Sequence, residues 1–228
     1  MQLQIIKNGY LKCDKGFVTL GRGMGKLISI PVYCFLVKHE KGNVLIDSGF
    51  SSGFNETWGK RLGFYKPVLE NDIPNFLKNV KIDFIINTHL HIDHCENNSS
   101  FKNATIIVQE KEYESALNPK IYQKFAYQDN LDRNLRYRLI DGELDLFGDK
   151  KINIVPTYGH TPGHQSVLLQ LEDEKVFIAG DACYTSENLE YNCLPGILWN
   201  PDKIMEGYEM IRNLKNTRII FGHEEIAN

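Results

Sequence analysis

No Cys-x-x-Cys pair occurs among the five cysteines, and their number is odd. Cys13, Cys34, Cys95, Cys183 and Cys193 are widely spaced, which argues against a disulfide framework or a thiolate zinc finger. Most of them read as small buried hydrophobes. Long apolar runs are also missing. The most apolar stretch, Ile28 to Val37, is well short of the ~20 residues that cross a bilayer. The first residues, Met-Gln-Leu-Gln-Ile-Ile-Lys, lack the basic start, apolar middle and small-residue cleavage site of a signal peptide. A cytoplasmic location and no membrane partner are expected. Neither sign of charge dominates: 26 basic residues face 29 acidic ones, for a net charge of -3. A nucleic-acid footprint, which needs a strongly basic face, is not expected. Arg133, Arg136 and Arg138 read as a solvated surface. No repeat, low-complexity tract or Pro/Gly/Ser-rich linker divides the chain, so one domain over residues 1–228 is expected.

What is there is an ordinary globular composition, 42% hydrophobic and 24% charged. A chain of 228 residues buries enough surface to fold without cross-links. Ile30 to Val37 and Asn43 to Asp47 read as two strands joined at Lys41-Gly42, apolar enough to be covered on both faces. Asn71 to Val80 has helical spacing, with Asp72 placed to cap it before Pro74. Ile82 to Asn87 and Thr105 to Val108 read as strands, and Glu110 to Leu117 as a short helix. Asn118 to Asn134 reads as weakly periodic helix. Arg136 to Ile140 and Lys151 to Val155 are strands. Gln165 to Leu171 and Lys175 to Ala179 form a hairpin around Glu172-Asp173-Glu174. Pro201 to Leu214 is an amphipathic helix, and Thr217 to Phe221 a last strand. Strand runs broken by helices imply a layered α/β or α+β fold.

Of seven histidines, three fall within six residues, in His89-Leu90-His91-Ile92-Asp93-His94. At this chain's own His and Asp frequencies, chance gives that pattern in roughly 4 of 10,000 such sequences. A lone histidine is usually a hydrogen-bonded core residue; a coordinated group of this kind is not explained that way. The motif follows the strand Ile82 to Asn87, so it occupies a loop anchored on a sheet, where ligands are commonly placed. His89 and His91 can turn to one metal, and Asp93 and His94 to a second. Imidazole with carboxylate suits zinc, and imidazole alone does not exclude iron. Three more donors stand at strand ends: His160, Asp181 and His223. Gly159, Gly180 and Gly222 precede them, permitting positive φ or a close backbone approach.

On these residues the chain resembles the metallo-β-lactamase fold superfamily. The likeness is carried by Thr88 to His94, Gly159-His160-Thr161-Pro162-Gly163-His164, Gly180-Asp181 and Gly222-His223, in family order over nearly the whole chain. It implies an αββα sandwich with two zinc ions on one edge; iron, manganese or cobalt are alternatives. It also implies one metal held by His89, His91 and His160, another by Asp93, His94 and His223, and Asp181 bridging them. Asp47, in Leu45-Ile46-Asp47-Ser48-Gly49, matches the family's strand-end Asp and reads as a support for the ligands. Within the superfamily the chain is similar to N-acyl-homoserine lactone hydrolases. The segments are Gly25 to Cys34, Ile106 to Gln109 with Glu112 to Leu117, His160 to Ser166, and Asp181 to Asn188. Tyr184 stands where these lactonases place a tyrosine facing the active site. Two departures stand out. Cys95-Glu96-Asn97-Asn98 replaces a small residue followed by Gly-Gly-Asn and brings an acid near the site. The stretch from Asp47 to His89 is also shorter.

The chemistry that follows is lactone opening by a hydroxide shared between two zincs, since zinc lowers the pKa of bound water to about 7. Tyr184 would hydrogen-bond the developing oxyanion. Asp93 or Tyr184 would protonate the leaving oxygen. Phe50, Phe54, Trp58, Phe64 and Tyr65 suit either an apolar acyl pocket or ordinary core. The glycine-rich loop Gly21 to Lys26 is placed near the site entrance, and its Met24 is assigned to the substrate pocket with Phe50, Phe54 and Phe64. His164 is expected to hydrogen-bond within its loop, and His39 to face solvent from a turn. The expected partner is a small-molecule substrate, bound by a monomer or homodimer. The main alternative is another hydrolase of the same fold, acting on a different lactone, an ester or a glyoxalase II-like thioester. A β-lactamase fits less well, because Asp181 stands where many zinc β-lactamases use cysteine. A di-iron redox protein fits less well because His91 stands where those proteins tend to carry Glu, and no flavin domain is present. A non-catalytic metal binder leaves the full ligand set unexplained.

Overall fold

The computed structural model describes residues 1–54, 66–129 and 131–226. Its strands, in chain order, are β1 (Gln2–Asp14), β2 (Leu27–His39), β3 (Gly42–Ile46), β4 (Lys66–Leu69), β5 (Phe84–Ile86), β6 (Thr105–Gln109), β7 (Arg136–Ile140), β8 (Leu144–Asp145), β9 (Ile152–Pro156), β10 (Gln165–Gln170), β11 (Lys175–Gly180) and β12 (Thr217–Phe221). The helices are α1 (Ile73–Phe76), α2 (Ile92–Cys95), α3 (Glu110–Leu117), α4 (Ser186–Tyr191) and α5 (Pro201–Arg212). Among the described residues the strands form two sheets, ordered β4-β1-β2-β3-β5-β6-β7 and β12-β11-β10-β9-β8. Pairing is antiparallel from β4 to β3 and parallel from β3 to β7. In the second sheet only β11 and β12 are parallel.

The period-2 alternation of strands builds the layers. Along β2, Tyr33, Phe35 and Val37 point one way and pack with Val44, Ile46, Ile86 and Ile107. They meet Ile152, Ile154, Val167, Leu169, Val176, Ile178 and Ile220 of the second sheet. The intervening Cys34 and Leu36 point outward, onto a layer that holds Ile73 of α1 and Leu77. On the far face of the second sheet, Phe177 and Ala179 pack under Ile204, Tyr208 and Ile211 of α5. Both sheets are thus covered on two faces, and the order helix, sheet, sheet, helix is the expected αββα arrangement. It also explains why Ile30 to Val37 is apolar at every position: all eight residues are buried.

Several elements differ from expectation for physical reasons. The helix expected over Asn71 to Val80 is the single turn α1, ended at Leu77. Its buried anchors are Ile73 and Leu77, and so short an apolar stripe does not sustain a longer helix. Asn118 to Asn134 is not helical in its described part. It runs through turns that are committed to tertiary bonds, with Ile92 N donating to Ala126 O and Gln123 Nε2 to the His160 carbonyl. β1, with its polar and apolar residues mixed, carries no apolar run to announce it, yet it pairs with β2 along almost its whole length. His39 is not solvent-facing. It ends β2 buried, stacked on Phe147 at 4.5 Å between ring centres, with Nε2 3.0 Å from Asp149. The stacked ring removes from water the one apolar face a turn histidine would otherwise expose.

A core this continuous should register single deletions. Leu36 is fully buried between the first sheet and α1. Leu36→Ala is expected to cost about 2–5 kcal/mol, read from the urea midpoint at unchanged slope. A loss under about 1 kcal/mol would mean that this layer packs loosely.

Candidate metal centre

Five strands or their loops deliver polar side chains to one edge of the sandwich. β5 leads into Asn87, Thr88 and His89; α2 then carries Asp93 and His94 on one turn. β9 leads to His160, β11 to Asp181, β12 to His223, and β3 to Asp47. The glycines explain how the chain reaches so close. Gly159 has φ of +138° and Gly180 of +54°, in the region that favours glycine. Gly222 is different: its φ is ordinary, but a Cβ there would sit 2.5 Å from the Gly180 carbonyl oxygen.

His89, His91, Asp93, His94, His160, Asp181 and His223 are all buried. They fall into overlapping groups whose donor atoms lie within 4.8 Å of one another: His89, His91 and His160; Asp93, His94 and His223; and His89, His94 and Asp181. Asp181 stands between the first two. Its Oδ2 is 3.2 Å from His160 Nε2 and 3.8 Å from His89 Nε2. Its Oδ1 is 3.3 Å from His223 Nε2 and 3.4 Å from His94 Nε2, without hydrogen-bond alignment to either. His89 Nε2, His91 Nε2, His94 Nε2 and Asp181 Oδ1 are buried with no hydrogen-bond partner. Such orphaned groups are rare in folded proteins and call for an ion or other explanation. A cation among them would satisfy the donor set, which is imidazole and carboxylate without thiolate.

The opposite nitrogen of most rings is already spent. His94 Nδ1 lies 2.8 Å from Asp47 Oδ2. His160 Nδ1 is 2.9 Å from Ile197 O, and His223 Nδ1 is 2.9 Å from Pro31 O. Carbonyls and carboxylates only accept, so these Nδ1 atoms carry a hydrogen, and wherever the ring is neutral, as at His160, the Nε2 lone pair is left facing inward. Asp47 also accepts from Thr88 N at 2.7 Å and Thr88 Oγ1 at 2.8 Å. Its φ of +55° is strained for a non-glycine residue. His164 lies beside the cluster. Asp181 N donates to its Nε2 at 3.0 Å, so Nδ1 carries the hydrogen toward Thr157 Oγ1, and the relay continues through Ser166 Oγ to Ala179 O.

Electrostatics divide the cluster. Burial holds His89 and His91 well below the usual histidine range. It takes His160 to about 4 and His164 to about 3. These rings are neutral and can donate lone pairs. Burial works against a proton on His94 and His223 too, but there carboxylates win. Asp181, Asp93 and Asp47 raise His94, and Asp181 raises His223. Burial pushes Asp93 up, whereas His223, His94 and His160 hold Asp181 well below the carboxylate range against its own burial.

Tyr184 is buried with its ring 4.9 Å from that of His223 and 5.6 Å from that of His160. It lines a narrow cavity with His91, Asp93, Asp181 and His223, completed by Leu11, Ile30 and Ile197. Those last three were not anticipated, since nothing in their local sequence distinguishes them from core. Phe50 and Phe54 are buried 5.0 Å apart in the same apolar cluster as Tyr184. Met24 is 77% exposed on its loop. Trp58, Phe64 and Tyr65 lie outside the described residues. Glu96 does not turn to the donors: its carboxylate accepts from Ser51 N at 2.6 Å. Asn97 Nδ2 donates to the Ser48 and Phe50 carbonyls, and Asn98 Oδ1 accepts from Ser48 Oγ. The departure Cys95-Glu96-Asn97-Asn98 therefore fastens the loop after Asp47. Burial pushes the Cys95 and Cys183 thiols up, which keeps them protonated and inert.

Two sheets face to face, with a buried imidazole and carboxylate cluster at the strand ends, define an αββα protein with a donor set suited to metal at its edge. The chain belongs to the metallo-beta-lactamase superfamily, whose family model matches residues 29–223. It is 31% identical over 239 residues to the N-acyl homoserine lactonase AiiA of Bacillus thuringiensis subsp. kurstaki, covering 98% of this chain and 93% of that protein. It is 30% identical over 248 residues to the N-acyl homoserine lactonase AttM of Agrobacterium fabrum, covering 100% and 94%. A solved N-acyl homoserine lactone hydrolase, with N-hexanoyl-L-homoserine at its catalytic metal centre, superposes with a TM-score of 0.84 at 31% identity, over 97% of this chain and 92% of that one. The protein is accordingly an enzyme of the hydrolase type. No described helix is long and apolar enough to cross a membrane.

Removing Asp47 tests the support of the cluster. Asp47→Ala strips the acceptor from His94 Nδ1 and both Thr88 donors, and is expected to weaken metal retention about 10–100-fold. Metal content after dialysis against a chelator reads this directly; native retention would show that the cluster holds without it.

Proposed function

We propose that this protein opens the lactone ring of N-acyl-homoserine lactones. The observation that carries the reading is the placement of Tyr184 against seven converging donors, in a chain alike over its full length to proteins named for that activity. We assign two metal ions, zinc first and iron, manganese or cobalt as alternatives. His89, His91 and His160 would hold one, Asp93, His94 and His223 the other, and Asp181 both. When bound, the metal pair supplies an activated water and a Lewis acid for the carbonyl.

The chain's own residues then have defined tasks. Asp47, Thr88, Ile197 O and Pro31 O fix the ring orientations. Leu11, Ile30 and Ile197 exclude water from the cavity wall. Tyr184 donates its phenolic hydrogen to the carbonyl oxygen as negative charge gathers there. Water adds to the carbonyl carbon, the ring C–O bond breaks, and the ring oxygen leaves as an alcohol after taking a proton from Asp93 or Tyr184. The product is the open acyl-homoserine carboxylate, with one proton released. The chain is assigned to work as one domain over residues 1–228, monomeric or homodimeric, on a small-molecule substrate without nucleic acid or membrane. Five cysteines outside any disulfide suit a reducing, cytoplasmic setting.

The experiment is a homoserine lactone series, short to long acyl chain, with metal-loaded protein and acid release as the signal. Ring opening that varies with chain length is the expected outcome. Full metal content with no member opened would transfer the same site to another lactone, an ester or a thioester. Two substitutions refine it. Asp181→Asn is expected to lose metal and activity together, and full activity with both ions bound would remove the bridging role. Tyr184→Phe is expected to lower kcat about 10²–10³-fold with metal content unchanged. An unchanged kcat would return Tyr184 to the core.

A further inference from the structure

Glu112 is the one acid on α3 that is fully buried, and nothing in the hydrolysis scheme uses it. Its carboxylate accepts hydrogen bonds from three separate segments. Oε1 accepts from Leu90 N at 2.9 Å and from Tyr127 Oη at 3.1 Å. Oε2 accepts from Gly163 N at 3.2 Å. Leu90 is the residue between His89 and His91, and Gly163 lies three residues beyond His160. The two backbone hydrogen bonds therefore join the two loops that carry the histidine trio, through one rigid planar group. Burying an acid this deeply is unfavourable, and a burial-driven rise of its carboxyl is present. Three donors offset that cost, and two of them are backbone donors of the ligand loops rather than a lysine or arginine.

The backbone shows the same close fit. A Cβ on Gly163 would collide with the Glu112 amide nitrogen, so the loop lies directly against the first turn of α3. Tyr127 closes the third side. Its ring stands edge-on to His91 at 4.8 Å, and its backbone forms an isolated bridge with His91. Thus Leu90 N, the His91 ring and Gly163 N are all referenced to a single side chain that touches no donor atom of the cluster.

The geometry points to Glu112 as a positioning residue that sets the spacing between the His89–His91 pair and His160, and with it the affinity and geometry of that half of the metal site. This rests on the reading that the trio holds a metal. The neutral trio has no carboxylate of its own apart from Asp181. Its fit to an ion depends on how far apart the loops stand, and ligand-orienting partners of this kind commonly govern 10–100-fold in metal affinity. The other half, Asp93, His94 and His223, is referenced to Asp47 and Pro31 instead.

The test is Glu112→Gln, which keeps the shape but turns an amide N–H₂ against one of the backbone donors. Native and variant proteins are titrated with cobalt(II) against a competing chelator, following the visible absorption of each ion as it binds. The expected result is that one of two ions binds about 10–100-fold more weakly with altered bands, while the other keeps native affinity. Tyr127→Phe, which removes one hydrogen bond but neither loop contact, is expected to leave both affinities near native. Should Glu112→Gln fail to fold, Glu112→Asp, which keeps the charge and shortens the reach, is read the same way. Two ions bound with native affinity and unaltered bands, whatever happens to Tm, would overturn the positioning role and leave Glu112 as packing. Native protein that binds no ion would overturn the metal reading itself, and this inference with it.

Discussion

Five imidazoles and two carboxylates buried within a few ångströms of one another can persist only if each is turned one way and held there. Here the holding is done from behind. His94 leans on Asp47, His160 on the Ile197 carbonyl, and His223 on the Pro31 carbonyl. Each acceptor belongs to a different segment, so the cluster cannot form until the two sheets and the Ile197 loop are assembled. The acceptors also decide the tautomer each ring takes when neutral, putting the hydrogen on Nδ1 and the lone pair of Nε2 on the inward side. The inward side is left deliberately short of partners, at His89, His91, His94 and Asp181. A fold that satisfies its histidines outwardly and starves them inwardly has prepared a place for a cation.

The sandwich makes this arrangement tolerable by separating tasks. The cluster sits at the strand ends, whereas stability comes from the layer between the sheets and the layers under α1 and α5. At the edge, Asp47 holds a strained φ of +55°, while the glycines before His160 and Asp181 take positive φ values that glycine adopts freely. Asp47 retains that conformation because three hydrogen bonds converge on its carboxylate. The loop behind it is fastened by Glu96, Asn97 and Asn98, which explains how a sequence without the family's paired glycines still supports the same geometry.

Much of the fold and most of the donor set were legible in the sequence, because both follow short-range rules. Buried strands such as Ile30 to Val37 show as unbroken apolar runs, and the hairpin at Glu172-Asp173-Glu174 as a polar gap between two such runs. The donors were visible because each follows a strand and three are preceded by glycine. What was not legible depends on distant partners. β1 is a strand because β2 lies beside it, not because of its own pattern. Asn118 to Asn134 loses its weak helical preference to bonds with Ile92 and His160. His39 is buried by Phe147, over one hundred residues away. Leu11, Ile30 and Ile197 are cavity residues only by position, and Glu112 looks like any helix-surface acid until its burial is known. The one weak signal for Glu112 was its place on the buried stripe with Ala116, four residues on.

The donor set is spread along the chain in a way that orders its assembly in time. His89 is made first, and His223 follows 134 residues later, just past a strand, β12, that pairs only with β11 among the described residues. At ~5–20 residues per second, a ribosome needs roughly 7 to 27 s to cover that interval. During it, the nascent chain carries His89, His91, Asp93 and His94 with no closing partner. The parallel pairing of β12 to β11 is therefore also a clock: the donor set is complete only once His223 has been made and β12 has docked.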